Sequence, residues 1–303
     1  MKKIKIGIPR AFHYHRYGVL WKNFFESLGC KTIISPETTK EILNLGIKNT
    51  NDNSCLSYKI YIGHVIYLID KCDYIITTRI CDYGKKDKVC PKINSSYDEF
   101  KQFILKDRIL MYDIEHTKLK YEFLGFLKIG FRITRNPIKI IYSYFFAKAK
   151  QKKYNLSKNN ENKNKLLTSN KKILIMSHFY NIQDKYISSY VIDYLIKNNI
   201  TPIKSNFLDT KTAIFFSEYF SNIPHLKYSK EMIGSLYYYK YQIDGLILIS
   251  THQCEIDKYI NPLIIYENKN LPILHLIIDE NVTISILKTK IENYLTTIKD
   301  TNP

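Results

Sequence analysis

Short β-branched, apolar runs alternate with amphipathic stretches of helical period at both ends of this chain, and that alternation constrains the fold more than any single motif. Residues 5–9 (KIGIP) predict a strand. Residues 17–28 predict a helix with Val19, Leu20, Phe24, Phe25 and Leu28 on one side, ended by Gly29. Residues 32–35 read as a second strand, and 38–45 as a helix opened by Thr38 and Glu41 at capping-box spacing. A further helix runs from Cys55 to Asp70, and residues 74–78 (YIITT) make a third strand. Strands separated by helices imply a parallel sheet.

The pattern restarts after residue 170. Strands are predicted at 172–176, 203–205, 245–250 and 272–278, with helices at 187–197, 230–241, 255–266 and 285–298. Between the halves, residues 115–146 read as helical, aromatic and basic, and 152–170 as a low-complexity run of Asn, Lys and Ser. The expected organisation is α/β: two Rossmann-like parallel-sheet domains, residues 1–115 and 171–303, joined by a helical, basic, partly disordered linker over 116–170. The expected site lies in the cleft between the two domains.

The chain has 303 residues, 45% of them apolar and 14% aromatic, ample for buried cores. Its N-terminus lacks an apolar run of signal-peptide length, and no stretch reaches about 18 uncharged apolar residues. The expected location is cytoplasmic. The formal net charge of +18 is concentrated: residues 118–172 hold fifteen Lys/Arg against Glu122 and Glu161, leaving about +5 for the rest. Basicity confined to a connecting segment argues for a solvated linker over a nucleic-acid groove.

Four of the six cysteines fall between residues 51 and 92. Cys55 opens a helix, whose first-turn N–H groups favour the thiolate that binds metal. Cys90 precedes Pro91 after the third strand, and Cys254 stands between the strand-like GLILIS and a helix. Strand ends and helix starts are where α/β folds place their sites. No C-x-x-C pair occurs, so a thioredoxin motif and a zinc ribbon are unsupported. Neither G-x-x-x-x-G-K-[ST] nor G-x-G-x-x-G is present. His252 with Cys55, Cys90 and Cys254 would make a Cys3His zinc set. Three thiolates without a fourth better suit a cubane iron–sulfur cluster with one iron open. Inert packing is the plain alternative for any buried thiol. His64 reads as a packed helix histidine, and Asp279-Glu280 as a strand–helix junction rather than a catalytic pair.

Several segments resemble the acyl-CoA dehydratase activase-related proteins, relatives of the 2-hydroxyglutaryl-CoA dehydratase D-component and of double-cubane-cluster proteins. KIGIPRAFHYHRYGVLWKNFFESLG is similar to that superfamily's opening strand–helix unit, and DNSCLSYKIYIGHVIYLIDKCDYI to its first cysteine segment. RICDYGKKDKVCPK resembles the second, at Cys90, and DGLILISTHQCEID the third, at Cys254. SHFYNIQDKYIS looks like a GHPYN-type turn through His178, Tyr180, Asn181 and Asp184. The closing LPILHLIIDENVTISILKTKIENYL is similar as well, and the resemblance covers nearly the whole chain apart from about 105–170.

The resemblance implies two Rossmann-like domains and a 4Fe-4S cluster, or a double-cubane variant, on Cys55, Cys90 and Cys254. It implies low-potential electrons from a separate ATP-dependent activator and reduction or radical dehydration of an acyl-CoA or other small molecule. A homodimer or heterodimer is part of that expectation. Cys81, near Cys90 in sequence, is a candidate fourth ligand, whereas Cys30 and Cys72 match no ligand. The chain departs from the pattern in having Glu255-Ile256 after Cys254, with Asp257 retained, and Lys290 where arginine is expected. Alternative readings are a non-catalytic partner subunit of such a complex, or a basic protein binding nucleic acid or membrane through 118–172.

Overall fold

A computed structural model describes residues 3–299. The chain divides into two compact units. The first comprises residues up to Asp52, Ser57–Tyr154 and His225–Lys227; the second comprises Asn53–Leu56, Asn155–Pro224 and the chain from Tyr228 onward.

The first unit contains β1 (Lys5–Ile8), α1 (Tyr14–Ser27), β2 (Lys31–Ile34), α2 (Lys40–Lys48), α3 (Leu56–Leu68), β3 (Tyr74–Asp82), α4 (Pro91–Phe100), β4 (Ile109–Glu115), α5 (Glu122–Phe131) and the first part of α6 (Pro137–Leu166). Its four strands are all parallel in the order β2-β1-β3-β4, with Ile6 opposite Thr32 and Ile76 opposite Leu110. Buried Ile6, Ile8, Ile75, Ile76 and Leu110 carry the sheet's share of the core, covered by Leu20, Phe24 and Phe25 of α1. That burial is the main stabilising contribution of these elements. The backbones of α2 and α3 pack in close approach, because Gly46 and Gly63 face each other's helix. A Cβ on Gly63 would lie 2.0 Å from the Ile42 carbonyl oxygen. The next residue, His64, is buried and bonded on both sides, Nδ1 to Ser35 Oγ at 2.9 Å and Nε2 to Thr38 Oγ1 at 2.9 Å.

The second unit contains β5 (Lys172–Met176), α7 (Phe179–Gln183), α8 (Lys185–Lys197), β6 (Thr201–Lys204), α9 (Thr210–Ser217), α10 (Lys227–Tyr239, from Tyr228), β7 (Gly245–Thr251), α11 (Glu255–Glu267), β8 (Ile273–Ile278) and α12 (Ile284–Lys299). The sheet repeats the first one's design, all parallel in the order β6-β5-β7-β8. Every residue of β7 is buried, as a central strand covered on both faces must be. Leu174, Met176, Leu246 and Leu248 form one core with Ile233 and Leu236 of α10 and with Ile260 and Ile264 of α11.

The α/β class with two parallel sheets is therefore as the alternation predicted, and several stretches differ from the sequence reading, among them the helices α7 and α9, which it did not contain. Residues 109–115 (ILMYDIE) form the edge strand β4 where the reading had none, and the polar stretch from Pro91 is helix α4. The run from Lys152, expected as open chain, is helical to Leu166. It contains neither glycine nor proline, and Glu161 lies within 3.7 Å of Lys158 and 2.9 Å of Lys165 on one helix face. Asn162 fastens it to the second unit, its Nδ2 donating to the Lys204 carbonyl at 2.7 Å. Among the described residues no helix is long and apolar enough to cross a membrane.

Candidate functional site

In a parallel sheet, strands leaving in opposite directions from a central pair open a crevice at their carboxyl ends. In the second unit that pair is β5 and β7, because β6 lies outside β5 and β8 outside β7. The chain leaves β5 through Ser177 and His178, the N-cap of α7, and leaves β7 through His252, Gln253 and Cys254, the N-cap of α11. Gln253 adopts φ 61°, a left-handed conformation that turns the chain sharply enough to start α11 at once. The Cys254 N–H donates to the Thr251 carbonyl at 3.1 Å, and its own carbonyl accepts the first helical bond from Lys258.

Three donor side chains meet there. His178, Cys254 and Asp257 are 3%, 8% and 4% exposed, and one ligand atom from each lies within 4.8 Å of the others. His178 Nε2 is 3.1 Å from Asp257 Oδ1. Neither ring nitrogen of His178 has a hydrogen-bond partner, and Asp257 Oδ2 has none. The imidazole is held by stacking on Tyr180, with ring centres 5.3 Å apart. Burial pushes the Cys254 thiol far up, the Asp257 carboxylate and then Cys55 adding to the shift. Asp257 sits in the first turn of α11, where the helix dipole favours negative charge. Behind it, Asn261 Nδ2 donates to Ser250 Oγ at 2.6 Å, and Ser250 Oγ is 2.7 Å from His275 Nε2.

Cys55 belongs to this unit too. Asn53–Leu56 is part of it, and the Leu56 N–H donates to the His252 carbonyl at 3.2 Å, tying the Cys55 segment to the loop that carries Cys254. The Cys254 thiol beside a buried imidazole and a carboxylate is a donor set that suits a borderline transition metal. Drawing the proton from Cys254 against its burial is what a bound cation does.

Cys90 is a residue of the first unit, the N-cap of α4 with Pro91 at its first position. Cys81 on β3 is its neighbour through the ladder, since the Val89 N–H donates to the Cys81 carbonyl at 3.0 Å. The Cys81 thiol itself donates to Asn94 Oδ1 at 3.0 Å. Burial raises the Cys81 thiol, and it lifts Cys30 and Cys72 to about 11. Cys72 donates to the Leu68 carbonyl within its own packing environment. His252, weighed from sequence as a nitrogen ligand, is exposed, and the nitrogen beside Cys254 is that of His178. The sequence signal for His178 is a histidine two residues past a predicted strand, and for Asp257 a carboxylate three residues beyond a cysteine in a helix's first turn. Asp279 Oδ1 accepts the Asn281 N–H at 2.7 Å, a junction role.

A parallel α/β chain with thiol, imidazole and carboxylate donors gathered at a strand switch point is a candidate metal-dependent protein. The model of the family described as CoA enzyme activase uncharacterised domain (DUF2229) matches residues 5–208, more than half of the chain, and the chain belongs to that family. The match takes in Cys55, Cys90 and His178 and ends before Cys254 and Asp257. No curated protein matches the sequence.

Proposed function

We propose that this chain is an iron–sulfur component of an acyl-CoA dehydratase-type system, taking low-potential electrons from a separate ATP-dependent activator for work on an acyl-CoA or other small molecule. The observation that carries the reading is the joining of the Cys55 and Cys254 segments at the carboxyl end of β7, in a chain of the CoA enzyme activase family. Cys55 and Cys254, with Cys90, are the proposed ligands of a cubane cluster, and Cys81 is the candidate neighbour through its ladder contact with Val89. When bound, such a cluster supplies a single low-potential electron and, with three thiolates, an iron open to a substrate oxygen. This chain's own residues hold the thiols at helix starts and exclude water around Cys254.

The test is anaerobic isolation with iron and sulfide assays. The expected result is about four irons per chain. Iron is largely lost in Cys55→Ala, Cys90→Ala and Cys254→Ala and retained in Cys30→Ala and Cys72→Ala. Equal losses across all five variants, or an iron-free wild-type protein after reconstitution, would overturn the reading.

A further inference from the structure

The strongest unexplained feature of the molecule is a buried imidazole with no hydrogen bond. A side chain like His178 costs free energy when sealed from water with both nitrogens unpaired, and such a residue in a folded protein calls for an explanation. The two other fully buried histidines do not pose the question: His64 is bonded on both sides and His13 Nδ1 to Thr78. At His178 a carboxylate oxygen of Asp257 lies 3.1 Å from Nε2, itself on a group with an unpartnered second oxygen, and the third member of the group is a thiol.

We propose that His178, Cys254 and Asp257 bind one divalent transition-metal ion of the zinc, iron(II) or cobalt(II) class. A tetrahedral ion stands about 2.0–2.3 Å from N, O and S donors, which sets those donors roughly 3.5 Å apart. The set in hand spans at most 4.8 Å, so closing on an ion requires a contraction of about 1 Å, within reach of side-chain rotation. Charge favours the same occupant. One thiolate, one carboxylate and a neutral imidazole around a divalent cation sum to zero, the least costly state to bury, whereas Asp257 without a cation is a buried charge short of partners. Mixed N, S and O donors suit these borderline metals and not magnesium or calcium, which take oxygen. Three protein ligands leave a fourth position for water or a substrate atom, the pattern of an exchangeable rather than a structural ion. The Ser250–Asn261–His275 network adjoins the site through Asn261, one helical turn beyond Asp257 on α11.

Cys254 is shared with the cluster proposed above, so the single ion is an alternative occupant and does not rest on that reading. All three of its ligands belong to the second unit, and Cys90 does not enter.

The experiment uses the full-length chain isolated free of iron and titrated with Co2+, whose spectrum reports its ligands. The expected result is one ion per chain, with a thiolate-to-cobalt charge-transfer band and the strong visible absorption of tetrahedral cobalt, both abolished by Zn2+ competition. Cys254→Ser removes the charge-transfer band. His178→Gln and Asp257→Asn, near-isosteric changes checked for folding by circular dichroism, each weaken binding at least about tenfold. Cys90→Ser leaves cobalt affinity unchanged while losing any cluster, which separates the two readings. Zn2+ also raises the Tm of the wild-type chain and not that of His178→Gln. Cobalt binding without the thiolate band, binding indifferent to His178→Gln, or dependence on Cys90 would overturn the proposal.

Discussion

Apart from the short α7 and the connecting helix α6, the two units repeat one order of elements, β-α-β-α-α-β-α-β-α, and they treat the ends of their central strands in opposite ways. Cys90 and Cys254 are equivalent, each the N-cap of the helix that follows the third strand of its unit. His13 and His178 are equivalent as well, each the N-cap of the helix that follows the first strand. In the first unit His13 Nδ1 is 2.8 Å from Thr78 Oγ1 and Tyr61 bonds Thr77, so the strand ends are closed by neutral hydrogen bonds. In the second unit His178 has no such partner. Three residues past the cysteine the first unit has buried Ile93, and the second has buried Asp257. Topology supplies the position, and a missing hydroxyl partner for the histidine together with one apolar-to-acidic difference distinguishes the second unit's strand end from the first.

Acid should break the first unit before the second, and this is the largest effect expected. Burial, with Arg16 adding for His13 and His15 for His64, holds both histidines at about 3 in the folded chain, below their ordinary 6.5. A depressed folded value means that the unfolded chain takes up the proton first as pH falls. The stability is complete above about pH 6.5 and is lost progressively towards pH 3. From pH 7 to pH 5 each histidine should remove about 2 kcal/mol, about 4 kcal/mol together. Hydrogen exchange at the two pH values checks it: amides of β1, β3 and α3 should lose protection before those of β5 and β7. Equal loss in both units would mean that the neutral histidine network is not what distinguishes the first.

Exchanging the residues that differ sharpens the comparison next. Ile93→Asp places a carboxylate in an apolar site with no counterpart to His178, and should cost about 3 kcal/mol in denaturant unfolding. Asp257→Leu, in the metal-free chain, should fall within about 1 kcal/mol of wild type or above it, because removing a costly buried charge offsets the lost contact. A large destabilisation from Asp257→Leu would show Asp257 to be structural in the way Ile93 is.

The α/β class, both sheets and most helices were legible because the apolar period changes from 2 to 3.6 at each junction, as at residues 5–28 and 245–266. β4 was hidden because ILMYDIE runs into an aromatic, basic stretch with no turn residue between them, and α4 because NSSYDEF offers a helix little apolar face. Of the donor set, Cys254 was visible from its place between a strand and a helix. His178 and Asp257 were on view as residues but not as a pair, since they lie 79 positions apart and only the adjacency of β5 and β7 brings them together. Whether a buried histidine is satisfied cannot be read from its sequence neighbours at all: His64 and His178 both sit among apolar and hydroxyl residues.

The smallest expected effect concerns the low-complexity end of α6, whose composition reads as disorder and whose structure is helix. Asn162 is fully buried and makes three bonds to the second unit's fold. Its Nδ2 donates to the Lys204 carbonyl at 2.7 Å and to Tyr239 Oη at 3.1 Å, and its Oδ1 accepts the Lys204 N–H at 3.2 Å. Lys204 is the last residue of the edge strand β6, so the asparagine completes a strand end that has no further ladder neighbour on that side. Asn162→Ala leaves the Lys204 amide and carbonyl without these partners and should cost about 1–2 kcal/mol, most of it local. The sensitive readout is limited trypsin digestion, because the run carries Lys152, Lys153, Lys158, Lys163 and Lys165, and cleavage needs the helix to open. Wild-type chain should resist cutting between residues 152 and 166, and Asn162→Ala should be cut there several times faster while α10 and β7 stay protected. Rapid wild-type cleavage in this run would return it to the open linker that its composition suggests.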